Sequence, residues 1–267
     1  MLNNSQLRRQ ARFALEGRWG TFVLVTLLSS LIPLLLMAPG YGLQIGMPQL
    51  GSNVSNCWQL LVALVLLPMT WSINVMYLRS RRGEQMEISN MFDGFRRTNS
   101  IMMTGILYFI YLVVYLIPVI VAITGTIAFV EHAETNLGTA AMIAGGVVGG
   151  ALTLAAFVLY VVKMLALDMW YYILLDTPLT GRQALRESMR MMQGHKMRLF
   201  MLYLSFLPYL LLVILTLGLA SLFVSPYMEA SKAEFYEDLL AQSAETEQSQ
   251  ADASAEQTEA PSDAPVC

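Results

Sequence analysis

"IMMTGILYFIYLVVYLIPVIVAITGTIAFV", residues 101–130, runs for its whole length without an Asp, Glu, Lys, Arg or His. A bilayer core is about 30 Å thick and a helix rises about 1.5 Å per residue, so about 20 apolar residues cross it. This run overshoots that length, so its helix must tilt or kink, and Pro118 offers the place.

Four further stretches qualify as crossings: 19–38, 57–78, 139–162 and 199–224. The whole chain agrees with them. It is 56% hydrophobic and 13% charged, with a mean hydropathy of +0.54. A soluble domain of this length needs more charge to cover its surface. The expected fold is therefore an all-α polytopic bundle with five transmembrane spans within residues 1–240. Pro33, Pro68 and Pro208 lie inside three other spans, as Pro118 does in the third. Prolines are tolerated there because neighbouring helices and waters satisfy the freed carbonyls. A sixth crossing arises if Thr216 and Gly218 split the last stretch into a 199–215 span and a returning 217–239 helix. Hydropathy favours five, which places the C-terminal tail opposite the N-terminus.

The basic residues set the orientation. Arg8, Arg9, Arg12 and Arg18 precede the first span; Arg79, Arg81, Arg82, Arg96 and Arg97 occupy the 79–100 loop. Lys163, Arg182, Arg186, Arg190, Lys196 and Arg198 fall within 163–198. The 39–56 and 131–138 loops carry none. The positive-inside rule then puts the N-terminus and both basic loops in the cytoplasm. The segment 241–267 is the reverse, with Glu245, Glu247, Asp252, Glu256, Glu259 and Asp263 and no Lys or Arg. Without aromatic residues it buries too little to fold, and reads as a disordered acidic tail. Cys57 and Cys267 are too few and too far apart for a disulfide framework or a metal cluster.

Between spans four and five, "TPLTGRQALRESMRMMQG" (177–194) reads as a short amphipathic helix. Thr180 and Gln183 suit a capping box, and Gly194 a C-terminal cap. Leu185, Met189 and Met192 form one face; Arg182, Arg186 and Arg190 form another. Stacking three arginines costs helix stability in water but suits anionic headgroups. Arg182, Arg186, Arg190 and Lys196 are thus the candidate lipid-headgroup residues, with His195 in the joint to the next span rather than in a catalytic pair. The N-terminal segment repeats the pattern, with Leu7, Ala11, Ala14 and Leu15 on one face.

"LRRQARFALEGRWGTFVL" (7–24), "MFDGFRR" (91–97), "ALRESMRMMQGHKMRLFMLYLSF" and "LGLASLFVSPYMEASKAEFY" resemble, in order, the landmarks of the bacterial membrane-protein family called domain of unknown function 975. The resemblance covers roughly residues 5–240. It implies a bacterial cell (plasma) membrane location and carries over no catalytic residue. In "SFLPYLLL", Pro208–Tyr209 stands where the family usually has a tryptophan.

"AGGVVGGA" (144–151) holds two overlapping GxxxG patterns, Gly145/Gly149 and Gly146/Gly150. No Lys–Ser/Thr follows to make a phosphate loop, so helix packing, within the bundle or between protomers, is the better reading. Tyr108, Tyr111 and Tyr115 line one face of the third span and are candidates for lining a path, although packing explains such a stripe more often. "EHAET" (131–135) reads as a short polar turn sooner than a metal site. The first, second, third and fifth spans hold no ionisable Asp, Glu, Lys, Arg or His, which counts against a carboxylate-driven carrier. With neither a nucleophile–base pair nor a metal cluster, the expected protein is not an enzyme and needs no cofactor. The favoured expectation is an accessory or scaffold whose partners are the lipid bilayer, its anionic lipids, and a second copy or another membrane protein, without nucleic acid. A transporter or channel component is the alternative, with a membrane enzyme ranked behind it.

Overall fold

The computed structural model describes residues 3–46, 48–136 and 138–259. Among these the chain is helical throughout its regular structure, with no strand. Five helical stretches are long and apolar enough to cross a membrane: Trp19–Gly46, Ser52–Arg81, Ile88–Glu134, Thr139–Asp176 and Lys196–Leu215.

The chain is organised as three antiparallel hairpins joined at one end. Helix α1 (Asn4–Leu15) buries Leu7, Ala11 and Leu15 and is followed by α2 (Trp19–Gly46). Helix α3 (Pro48–Arg81) returns along α2. Phe22 stacks on Tyr77 at 4.7 Å, and at the far end the Trp58 indole N–H donates to the Leu36 carbonyl. A 3₁₀ segment, Ile88–Arg97, then lies across α3. Its Gly94 sits so close that an added Cβ would fall 2.1 Å from the Pro68 carbonyl oxygen, and its N–H donates to Ser72 at 2.6 Å. Only a glycine allows that approach.

Helices α4 (Thr98–Asn136) and α5 (Thr139–Leu167) form the second hairpin. Its outer surface, including Val114, Val121, Val147 and Leu152, is exposed and apolar, as hydrocarbon contact requires. The first turns of the third hairpin follow two short helices, α6 (Trp170–Asp176) and α7 (Arg182–Met191). Helix α8 (Lys196–Leu204) stops at Ser205, and α9 (Leu207–Leu215) restarts at once with proline in its first turn. Pro208 therefore opens a helix rather than kinking a continuous one, contrary to the sequence expectation; its missing N–H costs nothing at that position.

The last apolar helix ends at Leu215, well short of residue 224. Leu217 (φ 51°) and Gly218 (φ 93°) take left-handed conformations. Gly218 donates to the Val213 carbonyl at 2.8 Å and Leu217 to Ile214 at 3.1 Å, the paired bonds of a Schellman turn. The chain reverses there into α10 (Ser221–Glu259). Tyr227 packs on Tyr209 and Phe206, and Asp238 pairs with Arg198, so α10 runs back along α9 and α8. Glu234, Glu237 and Asp238 of α10 lie at the same end as Arg81, Arg82 and Arg198, the arrangement of the alternative in which the last stretch splits at Thr216 and Gly218. Helix α10 is described as far as Glu259. Residues 260–267 of the acidic tail lie outside the described residues.

The core occupies the joined end. Trp71, Met76, Leu78, Tyr172, Phe206, Phe235 and Tyr236 are all buried there, along with the inner faces of α1 and α7. The 131–135 stretch is not a loop; it forms the closing turns of α4.

Candidate functional site

Among the described residues, the densest polar chemistry lies in this joined end, where α10 meets the breaks in the other helices. Helix α5 stops at Leu167 because the chain turns at Asp168 and Met169 before α6 begins. Ser188 of α7 holds the break: its hydroxyl donates to the Ala166 carbonyl at 3.0 Å and accepts from the Met169 N–H at 3.3 Å. Beyond this break the chain does not run out along the surface. Instead Trp170, Tyr172, Ile173 and Leu174 are buried, and Trp71 donates its indole N–H to the Tyr171 carbonyl at 3.0 Å.

Asp168 faces α8 and α10. It accepts the Tyr203 hydroxyl at 2.6 Å and lies 3.7 Å from Lys232 Nζ. Lys232 is 5% exposed and has Glu229 one turn earlier at 3.0 Å. Burial by itself pushes the Lys232 ammonium down, but Asp168 and Glu229 outweigh it and the net direction is well up. The lysine is thus a buried cation held by two carboxylates.

Around this centre the acids of α10 clasp the basic loops. Arg81 pairs with buried Glu234 at 2.5 Å. Burial raises the Glu234 carboxyl from its ordinary value, against the pull of Arg81. Arg82 grips Asp176 through two nitrogens at 2.6 and 2.8 Å and Glu237 at 2.6 Å. Tyr236 adds its hydroxyl to Asp176 at 3.1 Å, and burial followed by that carboxylate raises its pKa. Arg198 pairs with Asp238. On the N-terminal side, Arg18 donates to the Ser80 carbonyl and hydroxyl and to the Glu84 carbonyl. Arg79, Arg81, Arg82 and Arg198, which the sequence shows only as loop charge, are internal ion-pair partners.

Of the residues singled out from the sequence, the α7 arginines and Lys196 lie near this network, whereas the α5 glycines lie along the α4–α5 hairpin. On α7, Ala184, Leu185 and Ser188 are buried while Arg182 and Arg186 are exposed. Arg190 is exposed too, but Glu187 engages it at 2.7 Å, a pairing the spacing of the arginines had obscured. Lys196 is half-buried at the start of α8. The expected Thr180 cap is not made. Gly181 is the N-cap at φ 56°, its N–H donating to Thr104 at 2.8 Å, so tertiary contact overrides the local motif.

Gly145 and Gly149 face α4: an added Cβ would meet the Phe129 ring at 2.0 Å and Thr126 Oγ1 at 2.3 Å. Gly146 has ordinary clearance from Val130, and nothing lies within 4 Å of the Gly150 position. Of the two overlapping patterns, the first is a seam within the chain and the second lies off it. Tyr108 packs on Trp170 at 5.7 Å, Tyr111 stacks on Tyr115 at 6.4 Å, and Lys163 sits 5.3 Å from the Tyr115 ring centre. The tyrosine stripe thus faces α5 and α6, and all three side chains are half-buried.

Sequence reasoning missed Lys232. The signal was present: Glu229, Lys232 and Tyr236 lie at helical spacing on one face, amid Ala230, Ala233 and Phe235.

The five crossing-length apolar helices among the described residues, closed at one end by a buried ionic layer, define a multi-pass α-helical membrane protein. The chain belongs to the family described as protein of unknown function (DUF975), whose model matches residues 1–243. No curated protein and no solved structure matches it.

Proposed function

We propose that this chain is a non-enzymatic scaffold of a bacterial plasma membrane, its N-terminus and joined end cytoplasmic, that binds anionic lipid through α7. The observation that carries the reading is the fixed presentation of Arg182 and Arg186. Ser188 ties the opposite face of α7 to the α5–α6 break, so the helix cannot turn its arginines inward. A cation presented to an anionic membrane surface gains about 1 kcal/mol. Partner helices, or a second copy, would approach the exposed apolar flank of the α4–α5 hairpin.

The test is a titration of delipidated protein in detergent with phosphatidylglycerol and phosphatidylcholine, bound lipids being counted by native mass spectrometry. Arg182→Gln with Arg186→Gln should weaken phosphatidylglycerol binding by about thirtyfold, the sum of two such contributions. Unchanged preference in that variant would sink the lipid reading. A transporter is the second reading, supported by Lys232 and Asp168 lying buried beside helix breaks. It requires a solute flux in vesicles that Lys232→Met abolishes while the protein stays folded.

A further inference from the structure

A cavity of about 390 Å³ opens between α1, the start of α2, α9 and α10, remote in sequence from the arginines of α7. Its walls are hydrocarbon: Leu212 from α9, Phe223 and Val224 from α10, and the Trp19 ring at the start of α2. Leu212 and Phe223 are 47% and 58% exposed, so the crevice is open along the hairpin. At its rim stands Arg12, the one formal charge among the described lining residues. Tyr227 fixes that guanidinium, accepting its Nε hydrogen at 3.2 Å and lying 5.2 Å below it as a ring. A guanidinium carries four further N–H donors in a planar fork suited to phosphate.

An apolar slot with one immobilised cation at its edge is the chemistry of an anionic amphiphile. Its size falls within the range of small-molecule sites, and a tryptophan beside the cation is the usual company of a headgroup. We infer that this crevice holds one anionic phospholipid, its phosphate on Arg12 and an acyl chain between α9 and α10. The charge selects the headgroup; the open flank admits a chain without unfolding the hairpin. This assignment is independent of the α7 reading, since none of its residues belongs to α7.

The experiment uses the full chain, delipidated in detergent, with phosphatidylglycerol as the probe and native mass spectrometry as the readout. Wild type should retain one phosphatidylglycerol more tightly than the rest. Arg12→Gln should weaken that single adduct by about tenfold, the worth of a charge-assisted hydrogen bond. Leu212→Trp, at an exposed position that tolerates bulk, should remove the adduct by filling the slot. Arg182→Gln with Arg186→Gln should leave it in place, which separates the two lipid proposals. An adduct unchanged in both the Arg12 and Leu212 variants would overturn the inference. So would equal retention of phosphatidylcholine, or displacement by equimolar palmitate, which would give the crevice to a free fatty acid.

Discussion

Replacing Lys232 by methionine tests whether the ionic layer holds the molecule together. The stem length is kept and the charge is lost from a side chain only 7% exposed. Two carboxylates then lose their cation. The Glu229 side chain is 21% exposed, although its oxygen that meets Lys232 is buried, and Asp168 keeps its bond from Tyr203. Removing one member of a buried ion pair costs about 3–5 kcal/mol, and these two reliefs place the loss at the lower end, about 3 kcal/mol. Adding Asp168→Asn neutralises the orphan and should recover half of it or more. Unfolding in mixed micelles, followed by tryptophan fluorescence, reads both changes, because Trp71 and Trp170 lie in the buried core. The same assay has a pH signature. The folded-state pKa of Lys232 lies above the ordinary 10.5, so the unfolded chain releases this proton first as pH rises. The lysine's contribution is whole below about pH 10.5 and declines above it, a decline absent from Lys232→Met. A variant within about 1 kcal/mol of wild type, or a double mutant no better than the single, would refute the clasp.

Two further outcomes follow from the helix contacts. Gly149→Leu should destabilise the α4–α5 hairpin by about 1–3 kcal/mol, because its Cβ meets Thr126, whereas Gly150→Leu should be neutral in the same unfolding assay; equal effects would contradict the seam. With Cys57 and Cys267 both changed to serine, Gln85→Cys and Ala241→Cys should react with an impermeant maleimide from the same side of the membrane. Opposite accessibility would contradict the return of α10.

The sequence announced the crossings because their signal is additive: twenty apolar residues cannot be mistaken for anything shorter. It also announced the inner faces of α1 and α7, whose Leu7, Ala11 and Leu185 follow helical spacing. What it hid was decided by partners far along the chain. Arg82 reads as topology until Glu237, 155 residues later, is found against it. Thr180 reads as a cap until Thr104 takes the Gly181 N–H instead. The reversal at Leu217 was hardest, since a leucine stands in a left-handed position where glycine is usual. Thr216 and Gly218 marked the break, yet their apolar neighbours outweighed them in hydropathy.

The clasp joins a late-made part of the chain to earlier ones. Arg12 meets Tyr227 across 215 residues, and Arg81 and Arg198 wait for Glu234 and Asp238. During synthesis the early hairpins can enter the bilayer as they emerge, while the cationic loops stay unmated until the closing helix leaves the ribosome. Assembly is thus completed in one late step, and a nascent chain halted before that helix would expose unpaired arginines. Such a product would differ in charge, and not only in length, from the finished protein, giving proteolytic surveillance a chemical mark by which to tell them apart.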